Sequence, residues 1–119
     1  MEKHTFRKLV VWQKSMDLVT QIYSDLQDFP ATELYALTSQ IKRSATSIPS
    51  NIAEGYGREG KKDYLRFLNI ALSSLFELQT QLEIAYNLNF LNKEKFTNLY
   101  DNSREIERML TSFIRKIKG

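Results

Sequence analysis

The residue types that do chemistry are few in this chain, and their spacing argues against catalysis. His4 is the only histidine. From an N-terminal arm it would have to be recruited into any serine–histidine–acid triad. With no cysteine, the chain lacks a thiolate nucleophile, a disulfide and thiolate metal ligands. Glu54, Glu77 and Glu83 do not follow the pattern of inward glutamates and histidines by which helical bundles hold a metal. Gly55-Tyr56-Gly57-Arg58-Glu59-Gly60 superficially suggests a phosphate loop. No strand precedes it and no lysine–serine pair closes it, so a helix end and a turn explain the glycines better. Ser44, Thr46, Ser47 and Ser50 surround Pro49, where they could satisfy carbonyls freed by a kink or face solvent. No nucleophile has a base beside it. The expectation is a non-enzymatic protein without metal or cofactor.

The cations offer a different chemistry. Arg58, Lys61, Lys62 and Arg66 cluster in sequence, with Lys42 and Arg43 upstream of them. Lys62 and Arg66 are helical neighbours at four residues apart. Arg7, Lys8 and Lys14 form another cluster towards the other end of the chain. Repeated cations engage phosphates, and Tyr56 or Tyr64 could stack on unpaired bases, although each also has a structural explanation. Glu59 and Asp63 interrupt the patch, so an ordinary solvated surface is the competing reading. The net charge of +3 is a mild excess for an electrostatic binder, unless an oligomer multiplies the field. The expected nucleic-acid contacts, to RNA or DNA, are Lys42, Arg43, Arg58, Lys61, Lys62 and Arg66.

The elements that position these side chains follow from hydrophobic periodicity. Only four glycines and two prolines interrupt the 119 residues, and the long segments between them repeat apolar residues at spacings of three and four. The first helix is expected from about Lys8 to Gln27, with Trp12, Met16, Val19, Tyr23 and Leu26 as its stripe, widened by Leu18 and Ile22. Phe29-Pro30 ends it. Thr32 is the expected N-cap of the second helix, whose face is Leu34, Leu37, Ile41, Ala45, Ile48 and Ile52. Pro49 lies inside that pattern without breaking its phase, which predicts a kinked but continuous helix.

From about Lys61 to Leu88, Tyr64, Leu68, Ala71, Leu75, Leu78, Leu82 and Ala85 form an uninterrupted seam. Asn89 closes that helix in the left-handed conformation. Asn92 caps the fourth, with Phe96, Leu99, Ser103, Ile106, Leu110, Phe113 and Ile117 inward and Arg115, Lys116 and Lys118 at its negative end. Short loops join antiparallel neighbours. The expected fold is therefore all-α, an antiparallel up-down-up-down four-helix bundle forming one domain over residues 1–119, a rod about 40 Å long.

Leu65, Phe67, Leu72, Phe76 and Tyr86 lie off the third seam, and Tyr100, Met109 and Ile114 off the fourth. Either the core face is wide, or a second packing surface supports self-association. Fourteen aromatics are many for one small bundle, which favours the second reading. No apolar run spans a bilayer and no secretory signal is visible, so no membrane partner is expected. The absence of cysteine fits a reducing cytoplasm.

Residues 40–55, Gln40-Ile41-Lys42-Arg43-Ser44-Ala45-Thr46-Ser47-Ile48-Pro49-Ser50-Asn51-Ile52-Ala53-Glu54-Gly55, resemble the signature of the four-helix bundle proteins encoded in intervening sequences of bacterial 23S rRNA genes. These are often labelled S23 ribosomal proteins. Phe6-Arg7-Lys8-Leu9-Val10-Val11-Trp12-Gln13-Lys14, Ala71-Leu72-Ser73-Ser74-Leu75-Phe76-Glu77-Leu78 and Gln81-Leu82-Glu83-Ile84-Ala85 look like the family too, so the likeness covers nearly the whole chain. The resemblance implies a homopentamer. It also implies kinship with accessory proteins of diversity-generating retroelements, which bind nucleic acid and a reverse transcriptase through a basic surface. Lys42 stands where the family commonly has an arginine, which loses the bidentate fork. Ser73 stands where a glycine is frequent, which implies looser helix approach there. No catalytic residue carries over from the resemblance.

Overall fold

The structure, a computed structural model, describes residues 5–119; the candidate His4 lies outside them. Four helices follow in order: α1 (Val10–Asp25), α2 (Leu37–Tyr56), α3 (Lys61–Asn87) and α4 (Lys93–Lys118). Each neighbouring pair is antiparallel. Along α2 and α3, Ser44 meets Gln81 while Ser47 meets Ser74. Along α3 and α4, Gln79 reaches Ser103 and Glu107, and Tyr64 meets Phe113. The ring of helices closes between α1 and α4, where Lys14 pairs with Glu105. The rod measures 43 × 28 × 21 Å, as the helix lengths require.

The expected seam of α3 is the observed one. Leu68, Ala71, Leu75, Leu78, Leu82 and Ala85 are wholly buried, and Tyr64 packs against the core from its edge. At its C-terminus, the only positive φ of a non-glycine residue among the described residues belongs to Asn89, at 64°. The Phe90 N–H donates to the Ala85 carbonyl at 2.9 Å and that of Asn89 to Tyr86 at 3.0 Å, which completes a Schellman closure. Asn92 then caps α4 by accepting the Lys95 N–H at 2.8 Å. In α4 the buried line runs through Leu99, Ser103, Ile106 and Leu110. Ile114, expected off the seam, is buried at its end.

Two expectations fail at the N-terminal half. The core face of α1 is Val11, Ser15, Leu18, Ile22 and Asp25, whereas Met16 and Tyr23 are exposed. Two polar residues sit in the buried face because each is satisfied locally. Ser15 Oγ donates to the Val11 carbonyl at 2.7 Å, and Gln21 Nε2 donates to Asp25 Oδ1 at 3.0 Å. Thr32 does not cap α2. Pro30 opens a 3-10 turn over Ala31–Glu33 instead, and the Glu33 N–H donates to the Pro30 carbonyl at 2.9 Å. That turn displaces the start of the helix to Leu37 and leaves Leu34 exposed. Glu33 Oε1 accepts the Leu37 N–H at 3.4 Å, so a carboxylate stands against the positive helix end.

Helix α2 runs through Pro49 without a break, with Ile41, Ala45, Ile48 and Ile52 buried on either side of it. The hydroxyls around the proline neither rescue its freed carbonyl nor all face solvent. Ser44 Oγ donates to Gln81 Oε1 at 2.7 Å, and the Ser47 and Ser74 hydroxyls share a 2.8 Å bond. Thr46 bonds back to the Lys42 carbonyl at 3.0 Å. Two of these serines therefore stitch α2 to α3. Ser73, next to one stitch, is exposed and has no part in helix approach within the bundle.

Most of the off-seam apolar residues are absorbed within the bundle. Leu65, Leu72 and Met109 pack against the core, and Tyr86, Phe96 and Tyr100 stack in sequence at centroid distances of 4.6 and 5.3 Å. Ile70, Phe76 and Ile84 stay exposed on α3, as does Leu88 at its C-cap. No helix among the described residues is long and apolar enough to cross a membrane.

Candidate nucleic-acid interface

The antiparallel topology brings three segments of the chain to the same end of the rod. The corner between α2 and α3 carries Arg58, Lys61, Lys62 and Arg66. The Phe6–Lys8 turn packs near the end of α2 and brings Arg7 and Lys8. The last turn of α4 brings Arg115, Lys116 and Lys118. Contacts between elements hold this convergence together. The Tyr64 and Phe113 rings meet edge-on at 5.9 Å, and Val10 and Lys116 line one groove.

The result is a segregation of charge that the modest net value conceals. Nine cations stand at this end against three carboxylates, Glu54, Glu59 and Asp63. The rest of the described chain carries seven cations and ten carboxylates. Among the described residues, only Arg58 and Arg66 of the nine are within ion-pair distance of an acid. Arg58 Nη2 lies 2.9 Å from Glu54 Oε2, and Arg66 Nε lies 3.3 Å from Asp63 Oδ1. The other seven are exposed, with no carboxylate partner among the described residues, which is the arrangement that attracts phosphate.

At the α2–α3 corner the cations interleave with rings. Both guanidinium carbons lie over Phe67, Arg66 at 4.4 Å from its centroid and Arg58 at 4.7 Å. Gly55 makes room for the close approach of α3 beside that ring. A Cβ at position 55 would come within 2.9 Å of Phe67 Cβ and 3.0 Å of Tyr64 Cδ1. The glycine therefore serves a helix crossing, two residues before Gly57 ends the helix, and has no part in a phosphate loop. Tyr56 meets Tyr64 edge-on at 6.3 Å. Burial foremost, and then the neighbouring Tyr56, push the Tyr64 phenol up to about 12, so it is neutral at physiological pH.

The six residues expected to contact nucleic acid separate into two places. Arg58, Lys61, Lys62 and Arg66 come together. Lys42 and Arg43 lie about 20 Å away along the axis, at about 1.5 Å per residue. Lys42 stands over the Tyr23 ring of α1 at 4.6 Å. Arg43 lines a small recess between α2 and α3 with Gln40, Glu77 and Gln81. Arg43 and Glu54 do not pair, since Glu54 holds Arg58. Sequence reasoning missed the contribution of Arg7, Lys8, Arg115, Lys116 and Lys118. The signal was present in the short loops, which force both chain ends and the α2–α3 corner to one end of the rod.

Other concavities carry less chemistry. A groove of about 330 Å³ between α1 and α4 is lined by Lys14, Asp17, Gln21, Asn98, Asn102 and Glu105, without a nucleophile beside a base. Among the described residues no three acids or histidines gather to hold a metal ion.

Fold and site together define a class: an all-helical antiparallel bundle with one cationic end. A sequence profile of the 23S rRNA-intervening sequence proteins matches residues 7–112, and the chain belongs to that family. It is similar to a solved structure of a protein with unknown function from the S23 ribosomal protein family of Bacteroides thetaiotaomicron. The two are 30% identical with a TM-score of 0.80, over 88% of this chain and 98% of the other. No curated protein matches the chain.

Proposed function

We propose that the protein is a non-enzymatic, self-associating cytoplasmic bundle that binds RNA or another nucleic acid through its cationic end. The observation that carries this reading is the segregation of charge, nine cations against three carboxylates at one end of a rod that is net acidic elsewhere. Seven cations with no carboxylate partner among the described residues, on convergent elements, form a field that no single sequence cluster provides. Self-association is supported by Ile70, Phe76 and Ile84 on α3 and Leu88 at its C-cap, which remain exposed after the core is filled. Assembly from several copies would multiply the cationic field. Five copies is the number implied by the family resemblance.

The test is binding of nuclease-treated protein to labelled 23S rRNA fragments across a salt series, with light scattering on the same sample. Affinity that falls steeply with salt, and weakens on Lys61→Gln with Lys62→Gln, supports the reading. An intact oligomer that binds nothing refutes it. The exposed apolar residues of α3 also favour a second reading, a scaffold for a protein partner such as a reverse transcriptase, with no nucleic-acid ligand of its own. Copurification of one stoichiometric protein after nuclease treatment, lost on Ile84→Glu, would support the scaffold.

A further inference from the structure

We infer that the α2–α3 corner selects single-stranded nucleic acid, by stacking unpaired bases on the guanidinium planes of Arg58 and Arg66. This rests on the nucleic-acid reading above and adds the class of strand. Two observations set these arginines apart from the lysines beside them. Each is already paired with a carboxylate, at 2.9 Å to Glu54 and 3.3 Å to Asp63. Much of their charge is therefore answered within the protein, and they are poorer phosphate ligands than Lys61 and Lys62. Each also lies against the Phe67 ring, at 4.7 and 4.4 Å, and the Cβ that carries this ring is packed closely against Gly55.

A guanidinium is a planar group, and each of these two has its central carbon over an aromatic ring. The side chains of Arg58 and Arg66 remain 41% and 56% exposed, so a strand can reach them. Guanidinium planes are weakly hydrated and stack readily on rings, and unpaired bases stack on them in single-stranded recognition. Base faces in a duplex are already occupied by their neighbours, so a duplex can meet this corner only through its phosphates. The division of labour follows. Lys61 and Lys62 attract the backbone of either form, whereas Arg58 and Arg66 recognise the faces that only a single strand offers.

The experiment is fluorescence anisotropy of the full-length protein with labelled oligouridine, an abasic strand of the same length, and a blunt duplex, each across a salt series. The wild-type protein is expected to bind oligouridine roughly fivefold or more tightly than the abasic strand, since stacking of even one base is worth that much. Arg58→Lys with Arg66→Lys keeps the charge and loses the plane. It should remove that advantage while duplex affinity and the salt slopes stay unchanged. Lys61→Gln with Lys62→Gln should weaken both strand types and lower the single-strand salt slope by about 1.4. Equal affinity for oligouridine and the abasic strand would overturn the inference. So would arginine-to-lysine variants that bind oligouridine as the wild type does. In either case, salt-sensitive binding sustained by the lysines would leave the broader nucleic-acid reading standing. Failure of the folded protein to bind any strand would remove both.

Discussion

Replacing Gly55 with alanine should destabilise the bundle, against the usual direction for a helical glycine. The added Cβ would lie 2.9 Å from Phe67 Cβ, 3.0 Å from Tyr64 Cδ1 and 3.3 Å from the Tyr64 carbonyl oxygen. A Cβ is attached to the backbone and cannot rotate away, so α3 itself has to shift. Overpacking of this kind costs about 1–3 kcal/mol. Alanine recovers about 1 kcal/mol in helix propensity, which leaves a net loss of about 1 kcal/mol, or about 4 °C in Tm for a chain of this length. Gly57 is the internal control. Its φ of −80° suits any residue, and its Cβ would meet only the Glu54 and Ala53 carbonyls at 3.6 and 3.9 Å. Gly57→Ala should stabilise the protein by about 0.4–1 kcal/mol, through the lower entropy of the unfolded chain. Urea unfolding followed by far-ultraviolet circular dichroism separates the two variants. If Gly55→Ala proves as stabilising as Gly57→Ala, the close approach of α2 and α3 at that point is wrong. The seating of Phe67 beneath Arg58 and Arg66 would then lose its basis.

Ser44→Ala strands Gln81 Oε1 in a buried site, where its donor stands at 2.7 Å, and should cost about 1–3 kcal/mol in urea unfolding. Adding Gln81→Leu removes both partners and should restore most of that loss. Asn92→Ala deletes the side-chain cap of α4 and should cost about 1 kcal/mol, read as a lower thermal midpoint. Tyr64 gives a pH dependence. The folded protein keeps the phenolic proton up to about pH 12, and the unfolded chain releases it near the ordinary value of 10.0. The unfolded state thus binds fewer protons in that interval, and stability falls as pH rises through it. Tyr64→Phe lacks the proton and should show a shallower decline in alkaline urea titrations; identical declines would contradict the placement of the ring.

Where one apolar stripe has no competitor, the sequence reads directly into structure. The α3 seam from Leu68 to Ala85 has small or aliphatic residues at every inward position, and no second register buries as much. Asn89 and Asn92 are equally legible, because few residues tolerate a positive φ or supply a side-chain cap. In α1 the phase was ambiguous. Trp12, Met16, Val19 and Tyr23 form a stripe as apolar as the true one, and the true one is disguised by Ser15 and Asp25. Those two are buried because hydrogen bonds within the same helix satisfy them, a circumstance that hydropathy does not register. The start of α2 was misplaced for a related reason. Thr32 and Glu33 form a capping signal, but the turn that Pro30 opens takes up those residues first.

The cationic end was half legible. Arg58, Lys61, Lys62 and Arg66 share one helix corner and can be read from a short window, whereas Arg115, Lys116 and Lys118 have a sufficient local explanation in the dipole of α4. Nothing local says that both groups occupy one surface; that follows only from the number of helices and the shortness of their loops. An even number of antiparallel helices returns the C-terminus to the end where the chain began. Charges at both chain termini and at the middle corner must then converge, while charges at the first and third corners go to the opposite end. Asp28, Glu33, Glu83 and Glu94 lie near those two corners and outnumber Lys93 and Lys95 there. The sign pattern along the chain thus alternates in step with the topology, and an odd number of helices would have scattered it. Charge placement and helix count support the same surface, and a fifth helix appended to α4 would carry a new terminus away from it.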